Sequence, residues 1–349
     1  MKDIASVDRN FAIRTSLDIG PVAFYQVREE PFSVCGLMYE KGLYRRLPEA
    51  VAKSVSEGVY ALHAHTAGGR VKFITDSEFI AISAVMPAIE KMPHFALTGS
   101  AGFDLYVGDA EEYAGSFIPP FDIKDGYESV LHFETRQLRE ITINFPLYSA
   151  VADLRIGLHP EAVLQKSAGY ESSKPIVFYG SSITQGGCAS RPGNAYTSLV
   201  SRALRRDHIN LGFSGNAKGE DEIAQYIRNL DMSVFVYDYD HNAPDIAHLE
   251  ATHQKMFEAI RECNPDLPIL ILSRPKFILT AEEKQRLEII RKTYLDAIAK
   301  GDRNVYLIEG PELMEYAKNH GTVDNCHPND LGFWSMAEVL IKYLKSILF

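Results

Sequence analysis

Ile176-Val177-Phe178-Tyr179-Gly180-Ser181-Ser182-Ile183-Thr184-Gln185-Gly186-Gly187 is the stretch that decides how the chain is read. An apolar run makes a short strand, a glycine ends it, and two serines lead into a loop that opens a helix. Such a turn sets a hydroxyl at the carboxyl edge of a sheet, where open α/β sheets bind ligands. A helix N-terminus close by favours developing negative charge. Gly-Ser-Ser after a strand is equally an ordinary turn with a capping serine, so the stretch alone does not make Ser182 a nucleophile.

Downstream the pattern continues. Strand-like runs at Ile176 to Tyr179, Ile209 to Phe213, Val234 to Tyr239, Ile269 to Leu272 and Val305 to Ile308 alternate with helical patterns. That alternation predicts an α/β region with a parallel sheet wrapped by helices. The clearest helix covers Asp245 to Glu262, where Ile246, Leu249, His253, Met256 and Ile260 share a face, and His253 reads as packing on that face. A last helix, Phe333 to Ile347, carries the single tryptophan, Trp334.

Upstream the period is two. Gly58 to Val85 reads as strands, with Val59, Ala61, His63 and His65 on one face and Ala67-Gly68-Gly69 turning into Arg70 to Ile74. Ser129 to Phe133 and Leu138 to Phe145 read as a second pair. Together they predict an all-β sandwich of two sheets ahead of the α/β region. His63 and His65 could share a metal, but with no third ligand nearby they read as half-exposed strand residues. Gly102-Phe103-Asp104-Leu105-Tyr106 forms an aromatic turn to which physics alone assigns no chemistry.

The 349 residues are enough for two domains, expected at 1–165 and 170–349. A net charge of −10 without a Lys/Arg run argues against a nucleic-acid partner. No stretch reaches the roughly 18 apolar residues of a membrane span. The start, Met1-Lys2-Asp3-Ile4, lacks the build of a signal peptide, so the cytoplasm is the expected location and no membrane partner is expected. Cys35, Cys188, Cys263 and Cys326 show no metal-ligand spacing and read as free thiols, with Cys188 and Cys326 close in sequence to the functional motifs.

Chemistry gathers at the strand ends. After Ser182 come Gly215, at the end of Asn210-Leu211-Gly212-Phe213-Ser214-Gly215-Asn216, and Asn242, in Asp238-Tyr239-Asp240-His241-Asn242-Ala243-Pro244. Asp324-Asn325-Cys326-His327-Pro328 precedes the last helix. A carboxylate three residues before an imidazole can take the proton of one ring nitrogen and leave the other as a general base. With Ser182 this makes a Ser/His/Asp triad, and the backbone N–H groups of Ser182 and Gly215 with the Asn242 amide can form an oxyanion hole. Tyr179, Arg191, Tyr196, Arg274 and Trp334 lie close enough in sequence to line a substrate pocket, although Tyr196 and Trp334 read equally well as helix packing. Arg191, in a Gly/Pro-rich loop, is the residue to orient an anionic or hydroxylated substrate. Asp238, Asp240, His241, Asp324 and His327 could instead hold a divalent ion, which would leave serine, glycine and asparagine without a task.

The order serine block, glycine, asparagine, Asp-x-x-His resembles the SGNH, or GDSL-like, hydrolases over residues 174 to 349. Gly102 to Tyr106 matches the Gly-x-Asp-Leu-Tyr motif of the branch with its own N-terminal domain. The resemblance implies a flavodoxin-like sheet of five parallel strands behind a jelly-roll-like sandwich. It also implies Ser182 as nucleophile, Gly215 and Asn242 as oxyanion donors, His327 as base and Asp324 as its orienting acid, with no cofactor and no metal. Two departures stand out: Gly-Asp-Ser is here Gly-Ser-Ser, making Ser181 the rival nucleophile, and the Gly-x-Asn-Asp block is here Asp240-His241-Asn242-Ala243. The expected partner is a small-molecule or carbohydrate ester, with acetyl on a sugar preferred by analogy. A lipase or thioesterase of the same fold, a carbohydrate-binding protein on an inactive hydrolase fold and a homo-oligomer stay open.

Overall fold

The computed structural model describes residues 4–8, 11, 12, 17, 19–170, 172 and 174–349. Met1, Lys2 and Asp3, on which the reading of the start rests, lie outside them. The N-terminal region is antiparallel and rich in strands. One sheet runs in the order Ala23–Gln26, Asp153–Leu158, Phe79–Val85, Gly126–His132. The facing sheet runs Leu164–Gln165, Arg70–Thr75, Arg139–Asn144, Phe103–Val107, Glu112–Phe117, with Ser33–Cys35 also paired to Arg70–Thr75. Ile80, Ile82, Leu154 and Ile156 of the first interlock with Val71, Phe73, Phe103, Leu105, Ile141 and Ile143 of the second, all wholly buried. Burying each such side chain contributes about 1.5–3 kcal/mol, which makes this interior the main stabiliser of the region.

Two expectations for this region are corrected. Glu57–Leu62 is a helix, not a strand, because the Ser56 side chain accepts the Val59 N–H and Glu57 sits in the first turn. His63 and His65 follow it and face different neighbours: His63 bonds to Arg45 and the Tyr60 carbonyl, while His65 meets Gln185 at 3.2 Å. Second, Gly126–His132 and Arg139–Asn144 do not pair with each other; the connection between them crosses from one sheet to the other. Period-two alternation shows which side chains point inward, and in a sandwich both sheets point inward to the same core.

The C-terminal half is an α/β layer. Its strands, labelled here β1 (Ile176–Gly180), β2 (His208–Gly212), β3 (Val234–Asp238), β4 (Ile269–Leu272) and β5 (Val305–Ile308), form a parallel sheet in the order β2-β1-β3-β4-β5. The strands are nearly continuous apolar runs because both faces are covered. Ile176, Phe178, Val234 and Val236 pack under Tyr196, Val200, Phe333 and Leu340 of helices Tyr196–Leu204 and Asp330–Leu348. Val177, Phe235 and Tyr237 pack on Ile223, Leu249, Met256 and Ile290 of three helices on the other side. His253 is buried in that layer, stacked on Tyr237 and bonded to Thr293, as its place on the helix face implied. No helix among the described residues is long and apolar enough to cross a membrane.

The halves share their interiors. Leu47, Ala52 and Val59 belong to one apolar cluster of the α/β layer, and Ala67, Phe95, Leu147 and Tyr148 to the other. The Gly-x-Asp-Leu-Tyr motif lies on this seam and gains a physical task there. Asp104, wholly buried, accepts hydrogen bonds from Asn144 (2.8 Å), Arg191 (3.0 Å) and the Gly193 N–H (2.9 Å). Tyr106 also bonds to Arg191. The motif therefore grips the loop that follows the first serine block.

Candidate active site

Ser182 sits at the carboxyl end of β1, at the first position of helix Ser182–Gln185. Ser181 is the N-cap: its hydroxyl accepts the Ile183 N–H at 3.1 Å and is wholly buried. Its oxygen is occupied with backbone, which leaves Ser182 as the serine offered to a neighbour. The helix rests directly on the end of β2, where a Cβ at Gly212 would stand 2.2 Å from the Gln185 nitrogen. Only glycine allows that approach.

The Ser182 Oγ lies 3.0 Å from His327 Nε2, and His327 Nδ1 lies 2.7 Å from Asp324 Oδ2. A carboxylate is acceptor only, so the proton between Asp324 and His327 belongs to Nδ1, and Nε2 presents its lone pair to the serine hydroxyl. The other oxygen of Asp324 accepts the backbone N–H groups of Cys326 (3.0 Å) and His327 (2.7 Å), which folds the loop around the carboxylate. Partial burial raises the Asp324 carboxyl, but these three donors outweigh it and hold it down at about 2. The carboxylate is thus charged wherever the imidazole has work to do.

Gly215 and Asn242 stand at the ends of β2 and β3. Gly215 has φ +69°, a conformation suited to glycine, and its N–H has no partner among the described residues. The Asn242 amide donates one hydrogen to the Phe213 carbonyl at 2.8 Å, tying it to the loop that carries Gly215, and keeps its second hydrogen for another acceptor. The Gly215 loop is itself anchored: the Ser214 N–H donates to Gln185 Oε1 at 3.1 Å. Gln185 Nε2 in turn donates to the Leu147 carbonyl and to His65 Nδ1, each at 3.2 Å. Burial holds His65 neutral, at about 3, so its Nδ1 can accept. Tyr148 donates to the Ser182 carbonyl at 3.2 Å. Leu147, His65 and Tyr148 belong to the N-terminal half and Gln185 to the serine helix; none carries a local sequence signature, since a Gln, a His and a Tyr acquire meaning only once the chain brings them together.

Of the residues expected to line a pocket, Tyr179 and Tyr196 are packed in the interior. Tyr179 is buried, its hydroxyl bonded to Glu220 (3.2 Å) and the Gly219 N–H (2.9 Å). Tyr196 is buried against Phe178 and Phe333, with its hydroxyl 3.1 Å from Thr184. Trp334 lies on the outer face beside Tyr316. Arg274 spends its charge on Glu283 and Asp240, and Arg191 on Asp104. Sequence proximity to the nucleophile did not open the two tyrosines to a pocket. Asp238, Asp240 and His241 do not gather either: Asp238 takes the Thr184 hydroxyl (3.2 Å), Asp240 faces Arg274 and Arg286, and His241 faces Cys326 Sγ at 3.8 Å. A recess of about 700 Å³ bordered by Arg261, Asp266 and Asn304 lies at the amino ends of β4 and β5, the opposite edge from Ser182.

Cys188 and His94 complete the rim. Burial, with the Asp324 charge, pushes the Cys188 thiol up to about 12, and its sulfur faces the imidazoles of His94 and His327. His94 Nε2 lies 3.8 Å from Asp324 Oδ2. The described cysteines are all free.

Residues 173–345 match the GDSL-like lipase/acylhydrolase family, and residues 22–164 match the GxDLY family, the N-terminus of SGNH-hydrolase-type esterases. No curated protein matches the chain. Among solved structures, a protein from Bacteroides ovatus ATCC 8483 described as a GDSL-like lipase is 28% identical with a TM-score of 0.84, over 94% of this chain and 98% of that one. Salicylyl-acyltransferase SsfX3 from a tetracycline biosynthetic pathway is 21% identical, TM-score 0.76, over 93% and 97%. A family two carbohydrate esterase from Cellvibrio japonicus is 12% identical, TM-score 0.61, over 94% and 98%, a likeness of fold. The 2-1-3-4-5 sheet, the Ser182-His327-Asp324 line at its edge and both family matches lead to one conclusion: this chain belongs to the SGNH (GDSL-like) hydrolases, in the branch with a GxDLY N-terminal region.

Proposed function

We propose that the chain is a serine esterase that removes small acyl groups, acetyl on carbohydrates foremost, through an acyl-enzyme. The observation that carries this reading is the continuous Ser182–His327–Asp324 line, with separations of 3.0 and 2.7 Å. Ser182 Oγ attacks the ester carbonyl while His327 Nε2 takes the hydroxyl proton. The carbonyl oxygen becomes an oxyanion held by the N–H groups of Ser182 and Gly215 and the free amide hydrogen of Asn242. Each such donor is worth about 10²–10³ in kcat. Collapse expels the alcohol, which receives the proton from His327; water then attacks the acyl-enzyme with His327 again as base, releasing the acid and restoring Ser182.

The acetyl-carbohydrate preference is supported by the shared fold of the family two carbohydrate esterase. Likeness to an acyltransferase supports a second outcome, in which an alcohol other than water accepts the acyl group from Ser182. A series of p-nitrophenyl esters of increasing chain length, run beside acetylated oligosaccharides and with and without an added acceptor alcohol, separates these by acyl preference and by the ester product formed. Ser182→Ala is expected to abolish turnover and labelling by a fluorophosphonate probe while the protein stays folded, and Ser181→Ala to leave labelling intact. Turnover persisting in Ser182→Ala would refute the reading.

A further inference from the structure

We propose that His94, Cys188 and His327 form a binding site for a thiophilic divalent cation, Zn²⁺ in the first instance, and that its occupation switches hydrolysis off. The switching part rests on the proposed esterase; the binding part does not. One ligand atom from each residue falls within 4.8 Å of the other two, a gathering of two imidazoles and a thiol. Zn–N bonds of about 2.0–2.1 Å and a Zn–S bond of about 2.3 Å put tetrahedral donors roughly 3.3–3.7 Å apart. Closing any pair still at the 4.8 Å limit takes about 1 Å of movement. His94 is the member with room to move toward the other two, since its side chain is 41% exposed at the rim. Cys188 is the fixed member: it holds φ +76°, unusual for a residue with a Cβ, between Gly187, whose N–H donates to the Ser182 carbonyl (2.8 Å), and Ala189, whose N–H donates to the Gly186 carbonyl (3.1 Å).

The donor set selects the metal. Two nitrogens and a sulfur suit Zn²⁺ or Co²⁺ and not Mg²⁺ or Ca²⁺, which prefer oxygen. Asp324 Oδ2, 3.8 Å from His94 Nε2, adds a negative charge at the edge of the site and a candidate fourth ligand, with water as the alternative. Binding forms a metal–sulfur bond and breaks the S–H bond, releasing one proton to solvent with no change of oxidation state. Inhibition follows from the position of His327. A cation on Nε2 occupies the lone pair that receives the serine proton, and one on Nδ1 shifts the ring hydrogen to Nε2, which leaves no lone pair facing the serine. Either stops the proton relay.

Two measurements test the proposal. In metal-free protein carrying Ser182→Ala, added Co²⁺ is expected to give a thiolate-to-metal charge-transfer band that Cys188→Ser removes. This arm needs no turnover, so it stands whether or not the chain is an esterase. In the Ser182 protein, Zn²⁺ is expected to inhibit p-nitrophenyl acetate hydrolysis, Mg²⁺ not, with full recovery in EDTA. Cys188→Ser and, independently, His94→Gln should each raise the Zn²⁺ concentration for half-inhibition, read against that variant's own metal-free rate, at least about 10-fold. Absence of the Co²⁺ band, or Zn²⁺ inhibition with an unchanged midpoint in both variants, overturns the site. Co²⁺ and Zn²⁺ binding without loss of turnover overturns the switch.

Discussion

Gln185→Met tests whether the N-terminal half holds the catalytic loop in place. Gln185 is wholly buried and its amide meets three partners: the Ser214 N–H, the Leu147 carbonyl and His65 Nδ1, at 3.1, 3.2 and 3.2 Å. Methionine has the same length and fills the space, but strands all three. A buried polar group left unpaired costs about 1–3 kcal/mol, so the gross loss is on the order of 3–9 kcal/mol. Burial of extra apolar surface, about 1 kcal/mol, and local relaxation offset part of it. The expected net destabilisation is about 3 kcal/mol, read from urea unfolding. The catalytic effect is separate. Ser214 immediately precedes Gly215, so releasing its N–H moves the Gly215 donor, whose complete loss would cost about 10²–10³ in kcat. A displaced donor keeps part of its effect, and a fall in kcat of roughly 10- to 100-fold is expected, with KM nearly unchanged because the oxyanion exists only in the transition state. A Gln185→Met enzyme with kcat within about twofold of wild type would refute the reasoning, since it would mean the loop keeps its geometry without this anchor.

Two further substitutions probe buried charge. Asp238 is fully buried; desolvation raises its carboxyl to about 7 from 3.8, against the lowering effect of the Thr184 hydroxyl. Between those values the folded state binds more protons than the unfolded chain, so this group makes stability fall as pH rises, by about 4 kcal/mol in all, and has no further effect above about 7. Asp238→Asn, a mimic of the protonated form, should remove that slope, and parallel pH profiles of unfolding free energy for the two proteins would rule it out. Arg191→Ala leaves Asp104 buried without its guanidinium and should destabilise by about 3–5 kcal/mol while KM stays near wild type; a raised KM with unchanged stability would instead restore Arg191 to the substrate.

The parallel sheet was readable because strands buried on both faces must be apolar throughout, as in Ile176 to Tyr179 and Ile269 to Leu272, and the helices between them must carry one apolar face, as Ile246 to Ile260 does. The Ser182-His327-Asp324 line was readable because the three act through short contacts that need particular residue types in particular loops. What failed to show was anything decided by long-range packing. The residues from Val59 to His65 alternate as a strand would, yet Ser56 caps a helix there and Val59 packs into the α/β layer. Arg191 looked free for substrate until Asp104 reached it across the chain.

Arg46 carries this point furthest. It is 2% exposed and has no carboxylate partner among the described residues; burial lowers its guanidinium to about 9. It bonds instead to the carbonyls of Leu62 (2.7 Å), Asn210 (3.3 Å) and Gly212, and lies over the Phe213 ring. Desolvating a charge without a counterion is unfavourable, and the arrangement persists only because removing the guanidinium would strand carbonyls at the end of β2, where the chain turns toward Gly215. The N-terminal half thus inserts a cation beneath the loop that carries one proposed oxyanion donor, and braces the same loop from the other side through Gln185. A catalytic half cut free at about residue 170 would expose these contacts together, so its Gly215 loop is expected to lose the Arg46 cation and the His65 and Leu147 partners of Gln185 at once.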